Sequence, residues 1–146
     1  MTDTQLDTQI RTQLVNHEVR YTSGRKRVVA AIVAADGPRS AAELHETLGR
    51  GVPLSSLYRS LSVMADAGVL SPHHSSKGVT RYELSEWLVG HHHHLVCTSC
   101  GAVDDIELPT EAEAALERLV AGAADTGGFT STGHALEIEG RCSQCT

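Results

Sequence analysis

His91-His92-His93-His94-Leu95-Val96-Cys97-Thr98-Ser99-Cys100 reads as metal chemistry. The C-x-x-C spacing of Cys97 and Cys100 lets both thiolates face one cation. Cys142 and Cys145 repeat that spacing and supply the other two ligands of a tetrahedral four-sulfur zinc site, with no cysteine left over. Two alternatives use the same residues. A pair of disulfides needs an oxidising compartment, whereas no secretory signal or apolar spanning stretch is read, so a cytoplasmic chain with reduced thiols is expected. A thioredoxin-like redox pair accounts for one C-x-x-C but not for two beside a histidine run.

The histidines precede the first cysteine pair directly. In extended chain, alternate side chains point to the same face, so His92 and His94 share one side while His91 and His93 share the other. One run can therefore serve two sites. A purification tag is the trivial reading of four histidines, but this run is internal and continues into the cysteine pair.

Outward from this segment, the charge divides unevenly. At 146 residues with net charge −6, the chain is one ordinary domain or two small ones, and two fit better. Residues 1–88 carry 10 Lys or Arg against 9 Asp or Glu, a balance of +1, whereas residues 89–146 carry 2 against 9, a balance of −7. Between Arg20 and Leu61 the count is 7 basic against 3 acidic. That asymmetry suits one half that meets an anionic partner and another that holds cations, the alternative being an ordinary solvated face.

Leu6, Ile10, Leu14 and Val15 at helical spacing predict a helix ending near Val19, and Val28, Val29, Ile32 and Val33 predict a second over 25–35. Ser40 with Glu43 forms a capping box that opens a third, with Leu44 and Leu48 as its buried stripe. Residues 53–67 form a fourth, with Leu57, Leu61, Met64 and Ala65 on one face and Ser55, Ser56, Tyr58, Arg59 and Ser62 largely off it. Runs 69–72 and 79–84 around the polar turn 75–78 predict a hairpin. Helices followed by a hairpin make a winged helix-turn-helix, with 53–67 as the helix that enters the major groove. The expected organisation is an α+β chain: a winged-helix domain over 1–84, a hinge over 85–90, and a second domain over 91–146. In the last, strands are expected over 94–97, 102–108 and 130–139, with a helix from Thr110 opened by a second capping box, Thr110 with Glu113.

The chain resembles the ferric uptake regulator family of metal-dependent bacterial transcription regulators over nearly its whole length. The residues that carry the resemblance are Arg20-x-Thr22-x-x-Arg25, Ser40-Ala41-x-Glu43-Leu44-His45, Leu57-Tyr58-Arg59-x-Leu61, Ala67-Gly68-Val69-Leu70, Arg81-Tyr82-Glu83-Leu84, the block 91–101, and His134 before Arg141-Cys142-Ser143-Gln144-Cys145. The resemblance implies a homodimer with an N-terminal winged-helix domain and a C-terminal α/β dimerisation domain, which binds double-stranded operator DNA when a regulatory metal is loaded. It implies structural Zn(II) at Cys97, Cys100, Cys142 and Cys145, a regulatory divalent metal, Fe(II) or Zn(II), at Glu83, His92, His94 and Asp105, and a second site at His91, His93, Glu113 and His134. The Glu113 correspondence takes in a one-residue insertion near Pro109. Arg25, Ser56, Tyr58, Arg59 and Lys77 are implied as DNA contacts, Tyr58 through an aromatic ring on a thymine methyl and Arg59 through a guanidinium on phosphate or guanine.

Departures bear on the metal. Many iron-type members have a histidine where this chain has Pro38, and actinobacterial zinc sensors of the family usually have a cysteine where it has Ser85; His73 and His74 are the nearby substitutes. Nitrogen and oxygen donors alone suit Fe(II) or Mn(II) and accommodate Zn(II). Asp105 resembles the peroxide-sensing branch while Pro38 counts against it, and Ni- or Mn-responsive members are further alternatives. From another class, a metal storage or chaperone module would use the histidines without binding DNA. A zinc hydrolase would need an open coordination position and a general base such as an H-E-x-x-H helix; that motif is lacking, so no enzyme, no small organic substrate and no membrane partner are expected.

Overall fold

Helical periodicity in the first half and short alternating strands in the second produce two compact units, Met1–Gly90 and His91–Thr146. The computed structural model describes residues 2–75 and 77–146.

In the first unit, helix α1 (Asp3–Asn16) opens at a capping box between Thr2 and Gln5. It stops short of Val19 because Glu18 adopts a left-handed φ of 58° and the Val19 N–H turns back to the Leu14 carbonyl. Helix α2 (Ser23–Val33) starts two residues before Arg25, since the Thr22 hydroxyl accepts the Arg25 N–H. Helix α3 (Ala41–Leu48) opens at the Ser40–Glu43 capping box, and a 3-10 turn, Gly49–Gly51, leads toward α4 (Leu54–Asp66). Ile10, Leu14, Val28, Leu57, Leu61 and Met64 are fully buried in one core contributed by α1, α2 and α4 and joined by Leu44 of α3. Each such side chain contributes roughly 1.5–3 kcal/mol by leaving water.

The wing is a three-stranded antiparallel sheet of β1 (Arg39–Ser40), β2 (Leu70–His74) and β3 (Thr80–Leu84), in the order β1-β3-β2. Strand β2 runs two residues past the expected Pro72 because pairing with β3 persists to His74 opposite Thr80. Strand β1 is two residues long, too short to leave a period in the sequence. Of the expected turn 75–78, Ser76 lies outside the described residues; Gly78 has φ 76°, a conformation that costs other residues more. Arg81 of β3 is buried and donates to Glu43 Oε1 at 2.9 Å, while Glu43 Oε2 accepts the Ser40 N–H at 3.1 Å. One carboxylate thus caps α3 and ties the wing to it.

The C-terminal end of α4 is held from outside the helix. Gln13 Nε2 of α1 donates to the Ala67 carbonyl at 2.7 Å, and Trp87 Nε1 donates to the Gly68 carbonyl at 2.8 Å. Trp87 lies on the single-turn helix α5 (Glu86–Val89), inside the segment 85–90 expected as a hinge, and its neighbour Leu88 is buried in the first unit's core.

The second unit is a sheet of order β5-β4-β6 with one helix. Strand β4 (His93–Cys97) pairs antiparallel with β5 (Val103–Ile106) and parallel with β6 (Glu137–Gly140). Helix α6 (Thr110–Thr126) carries no buried residue, and Leu119 and Phe129 are 69% and 72% exposed. Two expectations are corrected. The strand expected from Thr130 begins only at Glu137, since Ser131, Thr132 and Gly133 favour a turn, with the Ser131 hydroxyl donating to the Gly133 carbonyl. Thr110 and Glu113 form no capping box: Pro109 is the N-cap, no side chain caps the helix, and the Glu113 carboxylate meets histidines instead.

Candidate metal centres and nucleic-acid face

The turn after β4 and the segment after β6 bring the four cysteines together, because Cys97 and Gly140 are paired across β4 and β6 and Cys142 lies two residues beyond Gly140. A tetrahedral four-sulfur site with bonds near 2.3 Å has sulfur–sulfur edges of about 3.8 Å. Cys100 Sγ and Cys142 Sγ are 3.8 Å apart, and all four sulfurs lie within 4.8 Å of one another. The backbone N–H groups of Cys100 and Cys142 point at Cys97 Sγ from 3.5 and 3.4 Å. Donation from Cys100 first, then Cys142, lowers the Cys97 thiol to about 5, which favours its thiolate form. Cys145, hydrogen-bonded to Cys142, is raised to about 11. Four converging sulfurs, one of them facing two backbone N–H groups, fit a structural zinc.

On one side of β4 and the residue pair before it, His91 and His93 meet Glu113 of α6 and His134. Glu113 Oε2 lies 2.8 Å from His93 Nε2, and Glu113 Oε1 lies 2.8 Å from His134 Nε2 and 3.3 Å from His91 Nε2. The Nε2 atoms of His91 and His134 approach to 3.1 Å. The four donor atoms lie within 4.8 Å of one another, so three imidazoles and one carboxylate converge as a cation would require. Hydrogen bonding from His93 holds the Glu113 carboxyl below the usual carboxylate range, against an opposing push from desolvation. His93 is 1% exposed, and its Nδ1 is buried with no hydrogen-bond partner among the described residues. A side chain so placed gains nothing from solvent and turns its one useful atom, Nε2, into the cluster.

On the other side, His92 and His94 both face Asp105 of β5, whose Oδ1 lies 3.7 Å from His92 Nε2 and 3.5 Å from His94 Nε2; His94 and Asp105 are directly paired across the strands. The two rings stand edge to face with centroids 5.1 Å apart. Glu83 belongs to β3 in the first unit, opposite Ser71. Pro38 is fully buried, with its carbonyl accepting from Arg39 Nη1, and the Ser85 hydroxyl pairs with that of Ser71 at 3.1 Å. His74 Nδ1 lies 3.2 Å from the Thr80 hydroxyl across the hairpin, and His73 pairs with Arg81.

The first unit presents Ser55, Ser56, Tyr58 and Arg59 of α4 to solvent, with Tyr58 at 54% exposure, while Leu57 and Ser60 between them are buried. Lys77 is exposed next to the hairpin tip. Arg25 is half-buried: its Nη1 donates to the Arg20 carbonyl at 2.6 Å, and its Nε is buried without a partner among the described residues. Neither periodicity nor motif spacing marks Gln13, Trp87 or the Arg81–Glu43 pair as contributors around α3 and α4. Gln13 and Trp87 act on backbone carbonyls, which leave no mark in a sequence. No helix among the described residues is long and apolar enough to cross a membrane.

A model of the Ferric uptake regulator family matches residues 16–139. The chain is 36% identical over 131 residues to the zinc uptake regulation protein of Mycobacterium tuberculosis, covering 87% of this chain and 95% of that protein. It is 31% identical over 137 residues to the ferric uptake regulation protein of Neisseria meningitidis, covering 91% and 90%. The crystal structure of the Vibrio cholerae ferric uptake regulator superposes with a TM-score of 0.72 at 28% identity, covering 90% of this chain and 98% of that one.

Proposed function

This chain belongs to the ferric uptake regulator family, whose members are metal-dependent transcription regulators and not enzymes, and from that premise we propose that it represses metal-uptake or homeostasis genes by binding an inverted-repeat operator as a homodimer when a regulatory divalent metal is loaded. The observation that carries the reading is the convergence of alternate histidines of one run on two carboxylates, Glu113 and Asp105, in a chain whose α4 leaves Ser56, Tyr58 and Arg59 exposed.

In this reading Cys97, Cys100, Cys142 and Cys145 hold structural Zn(II), which supplies a cross-link between the turn after β4 and the C-terminal segment. His92, His94 and Asp105 hold the regulatory metal together with Glu83, which is assigned on the family resemblance alone. His91, His93, Glu113 and His134 hold a second metal. The nitrogen and oxygen donors suit Fe(II) or Zn(II), and similarity to a zinc uptake regulation protein supports Zn(II). Homodimerisation is supported by the uncovered apolar side chains of the second unit, Leu119, Phe129 and Ile138. DNA contact is assigned to Ser56, Tyr58 and Arg59 on the reading helix, with Arg25 and Lys77 on the backbone. The protein acts in the cytoplasm, without a membrane or small organic partner. Metal loading shifts a pre-existing equilibrium toward the DNA-binding state by its differential affinity for that state.

The test is elemental analysis of purified protein followed by operator binding with Fe(II), Mn(II), Zn(II) and Ni(II) in turn. His92→Ala and His94→Ala are expected to abolish metal-stimulated binding while the cysteine-bound zinc and the dimer persist. Equal operator affinity in wild type and variants at saturating metal removes this site from the account. Absence of preference for any inverted repeat over random duplex makes metal storage the better reading.

A further inference from the structure

Two side chains hold the end of the reading helix, and one of them is joined by a short stretch of chain to the histidines. Helix α4 closes at Ala67, and Gly68 with φ 76° turns the chain back, its N–H on the Ala65 carbonyl and the Val69 N–H on the Met64 carbonyl. That leaves the carbonyls of Ala67 and Gly68 to outside donors. Gln13 takes the first at 2.7 Å and Trp87 the second at 2.8 Å.

Trp87 is not placed for burial. It is 49% exposed, whereas the next residue, Leu88, is 3% exposed and anchors α5 in the core. Helix α5 is itself pinned at both ends, by the Leu88 N–H on the Ser85 carbonyl and the Gly90 N–H on the Glu86 carbonyl at 2.7 Å. Only Leu88, Val89 and Gly90 separate Trp87 from His91. Gly90 has φ 91°, so the joint between this pinned turn and the histidine run takes a conformation that L side chains rarely adopt.

We infer that Trp87 is a positioning residue: through its indole N–H bond to the Gly68 carbonyl it couples the metal-ligand segment 91–94 to the C-terminal end of α4. The inference rests on the reading that His92 and His94 of this segment bind the regulatory metal and that α4 reads DNA. A change of conformation at His91–His94 on metal loading reaches α5 along three residues of backbone, and the indole carries it to the helix end. Gln13 holds the same helix end from α1 with no such connection, and so serves as an internal control. Coupling of this kind is a free energy shared between two sites and is therefore reciprocal.

The experiment uses the full chain with its cysteine-bound zinc in place. Trp87→Phe keeps an aromatic ring and removes the donor; Gln13→Ala removes the other donor. The ratio of operator Kd without and with added Zn(II) is expected to fall roughly three- to tenfold in Trp87→Phe, the effect of one ordinary hydrogen bond. By reciprocity the effect of operator DNA on Zn(II) affinity falls by the same factor. Gln13→Ala is expected to lower the melting temperature and leave both ratios unchanged. Hydrogen exchange supplies a readout without DNA: amides of residues 63–70 gain protection on Zn(II) loading in wild type and not in Trp87→Phe. Ratios and protection unchanged in Trp87→Phe, or altered equally in Gln13→Ala, overturn the inference. If wild type shows no metal-dependent operator binding, the functional reading fails separately, and the exchange data still decide whether Trp87 links the two segments.

Discussion

Replacing Cys97 with serine should unfold the second unit and leave the first standing. In the second unit the described side chains buried most deeply are Cys97, His93 and Val103, and α6 buries none. Only Val103 is an ordinary apolar core residue, and its burial contributes roughly 1.5–3 kcal/mol. Structural Zn(II) contributes on the order of 10–16 kcal/mol of apparent folding free energy at neutral pH. The metal term therefore exceeds the apolar term several-fold, and a unit this small has little else to offset the entropy of ordering its chain. The first unit owes nothing to those sulfurs, since its core from Ile10 to Leu88 is continuous without them. Helix α6 supplies 17 helical residues against 14, 11, 8, 13 and 4 in the helices of the first unit. Far-ultraviolet circular dichroism of Cys97→Ser should accordingly lose about a quarter of its helical signal, with the remainder melting in a separate transition. Zinc measured by elemental analysis should drop with it, and sedimentation should report a monomer. A variant that keeps its zinc, its helicity and its dimer refutes the four-sulfur assignment; one that loses zinc and keeps the fold refutes the energetic argument.

Arg59→Ala should weaken operator binding and flatten its dependence on salt by roughly 0.9 in the slope of log K against log salt, read from titrations between low and physiological salt. Tyr58→Ala should instead reduce discrimination against a changed base by about 1–3 kcal/mol with the slope retained, and equal effects on both quantities in both variants would contradict the division of roles. Glu43→Ala removes a cap and strands the buried Arg81, at about 2–4 kcal/mol in urea denaturation, discounted from a fully buried pair because Glu43 is partly solvated. Glu43→Gln combined with Arg81→Met should cost less than Glu43→Ala alone. Burial first, then Asp7, raises the Tyr21 phenol to about 12, so its contribution to stability is complete below pH 10 and lost between 10 and 12. Alkaline absorbance titration should show a late tyrosine that disappears in Tyr21→Phe.

The helices of the first unit were legible because Ile10, Leu14, Val28, Leu57 and Leu61 repeat at 3.6 residues and because Ser40 with Glu43 marks a helix start in sequence. The same signal misled at Thr110 and Glu113, where spacing and residue types are equally good. The helix starts after Pro109 and not after Thr110, and a proline N-cap offers no N–H to a carboxylate, so Glu113 is left to tertiary contact with His93 and His134. The cysteine pairs and the two faces of the histidine run were readable from spacing and alternation, since both follow from local geometry. The late start of β6, the two residues of β1 and the bonds from Gln13 and Trp87 to carbonyls were not, because each depends on what a distant segment offers.

Strand β4 is held in register from both sides, by Leu95 opposite Asp104 and Ile138 and by Cys97 opposite Gly140, so residues upstream are counted off from a fixed point. Shifting such a strand by one residue ordinarily exchanges its faces and ruins both. Here the four upstream positions are occupied by the same residue. A fifth histidine gained by slippage within the repeat, before Leu95, would push each imidazole into its neighbour's place and leave all four positions filled. Loss of one histidine would vacate only the position farthest from the strand. Repetition makes this stretch tolerant to the copying error to which repeats are most prone, whereas Cys97 and Cys100, each unique in its place, have no such reserve.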